Sequence, residues 1–278
     1  MNNTFSHRAI ANKHNLKGVA PQSKELLRRG VAAEDAGVEV DISSNGLVGH
    51  VKDFPNITGE NYDDIQSKFE TMDKDELNMP ELKEVLWLNS RQGKDTMIEI
   101  KGSSPEAAIK AAEIAFSEAE NTLDMLGQHN LDTEGVTNRT DSPFVFQTFS
   151  VEALDSLKES RNRTHSLQLK ESPLALLATS KKDNVHDMSM SATILDRMSE
   201  HGINTEGDWG EAILNLAEIE SYDMICPHWS VIESNPSLVE SAHDKGIKVG
   251  VWVVPGSKID TLRDLGVDAV ISEELKEN

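Results

Sequence analysis

Short runs of Val, Ile, Leu and Ala recur along the chain, each followed by a stretch whose apolar residues fall three or four apart. The first kind of run reads as a strand covered on both faces, the second as a helix with one buried face. From the N-terminus, a short strand ends near Ser6. A polar loop containing His7, Arg8 and His14 then leads to a helix over about residues 23–34, with Leu26, Leu27 and Val31 on one face. The strand Gly37-Val38-Glu39-Val40-Asp41-Ile42 follows, then a turn at Ser43-Ser44-Asn45-Gly46. Residues 53–78 read as an irregular acidic segment, and Pro80 opens a helix carrying Leu82, Val85, Leu86 and Trp87.

The same pattern predicts strands at 97–101, 144–148, 174–178, 223–226, 247–254 and 268–271. Helices are expected at about 105–126, 151–158, 193–198, 210–219, 236–245 and 258–265. Eight such alternations in one chain point to an α/β fold of the (β/α)8 barrel type, a TIM barrel, with residues 1–278 forming a single domain. Few residues follow the eighth strand, so the last helix is expected to be truncated or missing. The surface it would cover then falls to another segment or to a second subunit, which makes a homo-oligomer an expectation.

Within two strands the alternation carries chemistry. Val38, Val40 and Ile42 share one face, leaving Glu39 and Asp41 together on the other. Ile98 and Ile100 likewise leave Glu99 and Lys101 together. Carboxylates crowded on an inward face repel each other and lose hydration, so something positive must sit between them, most simply a hard divalent cation. A barrel gathers its chemistry at the C-terminal ends of its strands, and His7, Glu39, Asp41, Glu99 and Lys101 all lie at or just past such ends.

Charge narrows the partners. Asp and Glu number 48 against 27 Lys and Arg, a formal net charge of -21, which argues against nucleic acid and against anionic membranes. No apolar run approaches transmembrane length and no signal peptide is visible, so stable membrane insertion is not expected and a cytoplasmic location is. The one cysteine, Cys226, excludes an intramolecular disulfide and reads as a small buried hydrophobe.

The order His7-Arg8, Glu39-x-Asp41, His50, Glu99-x-Lys101 resembles the glycerophosphodiester phosphodiesterase family. Residues 80–86 are similar to that family's helix before the third strand, and Phe146-Gln147-Thr148-Phe149-Ser150 to its fourth strand. The tail, from His243-Asp244-Lys245-Gly246 through Trp252 to Leu265-Gly266-Val267-Asp268-Ala269-Val270-Ile271, is similar to its closing signature. The resemblance runs from residue 7 to about 272 and thins at residues 56–79 and 181–220.

It implies a metal-dependent phosphodiesterase that hydrolyses a small-molecule glycerophosphodiester to glycerol 3-phosphate and an alcohol. Glu39, Asp41 and Glu99 would bind one divalent cation, Mg2+ or Ca2+. His7 and His50 would be general acid and base, Arg8 and Lys101 would hold phosphate oxygens, and Trp252 would line the pocket. Departures from the family pattern cluster at the rim: Ala9 follows His7-Arg8, Val51 follows His50, and the chain closes on Ser272-Glu273-Glu274-Leu275. With Asp53 to orient His50, or His14 to replace it, the site keeps its two imidazoles.

Each residue also has a plainer reading. Glu99 and Lys101 could pair only with each other. Trp252 and Phe146 taken singly fit a core, and His228-Trp229 carries no motif. Competing functions are a barrel that binds a phosphate compound without turnover, a lysophospholipase D-like enzyme with an apolar rim, and a Schiff-base aldolase using Lys101.

Overall fold

A computed structural model of the chain describes residues 3–6, 37–51, 57–72, 79–128, 142–181 and 189–272. Strands β1 (Asn3–Ser6), β2 (Gly37–Ile42), β3 (Thr96–Ile100) and β4 (Phe144–Thr148) are followed by β5 (Leu174–Ala178), β6 (Met224–Pro227), β7 (Lys248–Val251) and β8 (Ala269–Ser272). Neighbours pair in parallel in chain order, and β8 closes on β1, so the expected TIM barrel is the fold. The helix expected at 23–34 and the chain beyond Ser272, where the last helix was in question, lie outside the described residues.

Strand alternation divides the core into two shells. Val38, Val40, Ile42, Ile98, Ile100 and Phe146 point outward and pack, fully buried, beneath the helices. Phe5, Met97, Ala175, Leu177, Met224, Cys226 and Ile271 fill the barrel itself. Space there is short: a Cβ on Gly250 would lie 2.5 Å from Met224 Cε and 2.9 Å from Cys226 Sγ. The Cys226 thiol is held up in pKa by burial and by the fields of Glu99 and Glu39, which keeps it protonated and inert.

Several elements depart from the pattern-based reading, among them the short helix Leu167–Lys170, which it did not include. The segment read as irregular contains a helix, Tyr62–Thr71, capped by the Asn61 side chain, which accepts the Asp64 N–H at 3.0 Å. It buries little besides Gln66 and Phe69, so no apolar period announces it. The helix after Pro80 starts at Leu82, with Glu81 as its cap and Glu84 Oε2 accepting the Glu81 N–H at 3.2 Å.

Strand β7 stops at Val251 instead of running to residue 254. Val253 takes φ 54, left-handed backbone that a β-branched residue rarely adopts, and this turns the chain out of the sheet. A helix the sequence did not announce, Trp229–Ser234, follows β6 directly. No helix among the described residues is long and apolar enough to cross a membrane.

Candidate active site

The inward side chains of β2 and β3 meet near the C-terminal ends of those strands. Register places Asp41 beside Glu99 and Glu39 beside Met97. Glu39, Asp41 and Glu99 are buried, and one carboxylate oxygen from each lies within 4.8 Å of the others. Oxygens at that spacing suit a hard cation, since Ca2+ takes carboxylate oxygens at about 2.3–2.6 Å. On the chemistry of its donor set, the trio fits a divalent ion.

Lys101 lies just past the end of β3, where its N–H donates to Ile42 O at 2.8 Å and ties the two strand ends together. Gly102 follows it for a steric reason. A Cβ there would lie 2.4 Å from the backbone N of Ala108, so only glycine allows the chain to turn into the helix Pro105–Gln128. Lys101 Nζ donates to Glu99 and stands 3.2 Å from Asp41 Oδ1. Burial pulls the ammonium toward neutrality, but the Glu99 and Asp41 carboxylates more than offset it, and Lys101 is held charged well above its ordinary range.

The chain after β2 folds back over the strand end. The Gly49 N–H donates to Asp41 O at 3.0 Å and that of Val48 to Pro80 O at 3.1 Å, which leaves His50 buried beside the acidic strand. The helix Tyr62–Thr71 is fastened over both loops. Gln66 Nε2 donates to Ser43 Oγ at 2.8 Å, and Glu70 accepts from the Ser103 N–H at 3.0 Å and from its hydroxyl at 2.7 Å. Tyr62, at the start of this helix, then faces His50 with ring centroids 6.1 Å apart. Its phenol also contributes to the field on Lys101.

The opposite side of the mouth is aromatic. Trp252 reaches from β7 past β6, donating its indole N–H to Ala178 O at 3.0 Å. It meets Phe149 edge-on at 5.8 Å and His228 edge-on at 5.1 Å. Phe149 in turn lies 6.0 Å from Lys101 Nζ, so the aromatic wall and the acidic cluster share a border. His228 is half-buried, which lowers its pKa and keeps it neutral. Its Nδ1 accepts the Ser230 N–H at 3.3 Å and lies 2.8 Å from Ser230 Oγ, which places the ring proton on Nε2.

Of the residues singled out from the sequence, Glu39, Asp41, Glu99 and Lys101 come together, with His50 on the adjoining loop and Trp252 across the mouth. His7, Arg8, His14 and Asp53 lie outside the described residues. Tyr62 and His228 were missed. The one available signal for His228 was its place immediately after a strand end, where barrel enzymes keep functional groups. For Tyr62 it was the Asn61 cap.

The sequence matches the profile of the Glycerophosphoryl diester phosphodiesterase family over residues 41–277. No curated protein matches the chain by sequence. Among solved structures, a glycerophosphodiester phosphodiesterase from Parabacteroides distasonis is similar at 16% identity and a TM-score of 0.58, with 98% of this chain and 92% of that one covered. A putative glycerophosphoryl diester phosphodiesterase from Agrobacterium tumefaciens matches at 16% identity and 0.60, covering 99% and 94%. A glycerophosphodiester phosphodiesterase from Thermotoga maritima matches at 20% and 0.54, covering 98% and 94%. At these identities the structural likeness speaks to the fold.

Proposed function

Because the chain belongs to the glycerophosphoryl diester phosphodiesterase family, and is therefore a phosphoric diester hydrolase, we propose that it cleaves a small glycerophosphodiester to glycerol 3-phosphate and an alcohol at its barrel mouth. The observation that carries this reading is the convergence of Glu39, Asp41 and Glu99, buried together, with the Lys101 ammonium against two of them.

In this reading Glu39, Asp41 and Glu99 hold one divalent cation, Mg2+ or Ca2+. When bound, the ion supplies Lewis-acid stabilisation of charge on the non-bridging phosphate oxygens. Lys101, held charged by its neighbours, and Arg8 bind those oxygens and draw the diester onto the acidic side of the mouth. His7 and His50 work as a pair, one taking the proton of the attacking oxygen and the other protonating the departing alkoxide. Tyr62 lies tilted against His50 and limits the orientations its ring can take. Trp252, Phe149 and His228 shape the wall against which the rest of the substrate lies, and His228 Nε2–H offers a donor there.

Two rival readings fit less well. A Schiff-base lysine must lose its proton to attack, and Lys101 is held in the opposite direction. A lipid-specific enzyme needs an apolar rim. Of the large exposed apolar side chains among the described residues, Met125, Ile219 and Leu265 lie at or just past helix C-termini and Leu167 opens the short helix before β5, all on the face away from the mouth, and only Val253 adjoins the site. The net charge of -21 also favours a small soluble substrate over an anionic surface or nucleic acid.

The test is release of glycerol 3-phosphate from glycerophosphocholine and glycerophosphoethanolamine, with and without EDTA, in wild type, Glu39→Ala and His50→Ala. Release that needs the metal, Glu39 and His50 supports the reading. Release that survives EDTA and Glu39→Ala overturns it.

A further inference from the structure

Beyond the three carboxylates, we propose that Gln147 is a fourth, uncharged oxygen donor to the cation they hold; this rests on the metal reading given above. Strand β4 alternates, with Phe144 and Phe146 outward in the helical shell and Val145 packed against the interior cluster, so Gln147 also points into the barrel. Register sets Asp41 beside Glu99 and Glu99 beside Gln147, a row of three inward oxygen-bearing side chains on adjacent strands about 4.8 Å apart. The next residue in that row is Ala175, which offers no donor.

Gln147 is 1% exposed, and its Oε1 is buried with no hydrogen-bond partner among the described residues. An amide oxygen in that condition is destabilising, and an apolar residue would fill the space without that cost. What the position gains is a hard oxygen facing the acidic trio. Ca2+ and Mg2+ accept amide and carbonyl oxygens alongside carboxylates, and a neutral one adds a donor without adding to the repulsion among three anions. A fourth carboxylate would raise that repulsion and a lysine would compete with the ion. Glutamine gives reach and oxygen with no charge.

Titration calorimetry with Mg2+ and with Ca2+ on purified wild type, Gln147→Met and Gln147→Glu separates the possibilities, with circular dichroism as the check on folding. A ligand role predicts affinity lowered roughly ten- to a hundredfold in Gln147→Met and kept or raised in Gln147→Glu, which retains an oxygen but loses the amide N–H. Gln147→Asn, which withdraws the same amide by one methylene, should lose affinity as Met does, and it serves if the Met variant does not fold. Unchanged ion affinity in both Met and Asn overturns the proposal, as does lost affinity in Glu equal to that in Met. Wild type that binds neither ion overturns the proposal and the metal reading together, and so is told apart from a failure at Gln147 alone.

Discussion

Two clusters of charge in this molecule are built on opposite principles. Between the helices Val151–Arg163, Ser189–Glu200 and Trp209–Glu220, Arg197 lies 2.9 Å from Asp155 and 2.8 Å from Glu220. Lys158 donates to the Glu220 backbone O at 2.8 Å, and His201 Nε2 lies 2.8 Å from the Glu220 carboxylate. Three carboxylates there, counting Glu200 at 3.4 Å from Arg197 Nε, face two permanent cations and a histidine, close to balance. Inside the barrel the described residues set three carboxylates against one ammonium. A balanced cluster at the edge of solvent fastens helices together. Carboxylates buried together in the core invite a positive ligand, so their placement marks the site more sharply than the number of charges does.

The largest effects should come from the buried charges. Lys101→Met withdraws the ammonium that stands against Glu99 and Asp41, and in EDTA it should destabilise the protein by about 3–5 kcal/mol in urea denaturation. Adding Glu99→Gln to that variant should recover much of the loss, because it removes one of the repelling charges while deleting another site residue. If the double variant is as unstable as the sum of the two single ones, repulsion is not what Lys101 relieves. In activity, Glu99→Gln alone should lower turnover of glycerophosphocholine roughly a hundred- to a thousandfold.

The balanced cluster should respond weakly and without effect on turnover. Arg197→Met removes partners of both Asp155 and Glu220 and should cost about 1 kcal/mol, as for a network open to solvent on one side. Its pH signature is separable. Burial alone would raise the Glu220 pKa, but its hydrogen bonds to Arg197 and His201 outweigh that and bring it down to about 2 from an ordinary 4.5. A carboxylate depressed in the folded state contributes stability that is complete above 4.5 and is lost as pH falls toward 2. Thermal melts from pH 5 to 2 should therefore fall less steeply in Glu220→Gln than in wild type. Equal slopes would mean the network does not hold Glu220 ionised.

What was legible from the sequence follows from how far apart the deciding contacts lie along the chain. The barrel and the acidic trio rest on strand alternation, a property of five or six consecutive residues, so Glu39, Asp41, Glu99 and Lys101 could be set facing inward without any tertiary information. The helix Tyr62–Thr71 escaped because its stability comes from Gln66 and Glu70 bonding loops 23 and 33 residues distant, and not from an apolar stripe. His228 gains its place through Trp252, which lies just past the end of the neighbouring strand. Val251-Trp252-Val253-Val254 is strand-like in composition, and only the closure of the barrel reveals that the chain must leave the sheet there. Gln147 was read as part of a family likeness; its orphaned oxygen is a fact of three dimensions.

Backbone strain at the mouth falls on a β-branched residue, whereas in the helical shell it falls on Ser221 as a helix C-cap. Val253 holds left-handed backbone directly after Trp252, and its side chain is 39% exposed, so little packing rewards the conformation. Such a residue costs about 1–3 kcal/mol, whereas glycine adopts the same φ freely and loses about 0.5–1 kcal/mol through its greater unfolded-state freedom. Val253→Gly should therefore stabilise the protein by about 1 kcal/mol in denaturation. Val253 directly follows Trp252, whose indole donates to Ala178 O and meets Phe149 edge-on, so relaxing the bend should also raise KM for glycerophosphocholine more than it lowers kcat. Greater stability with unchanged KM would show that the strain is incidental to the pocket. Lower stability would show that the bend is supported by contacts stronger than the backbone preference it violates, and the contrast between the mouth and the helical shell would then rest on the buried charges alone.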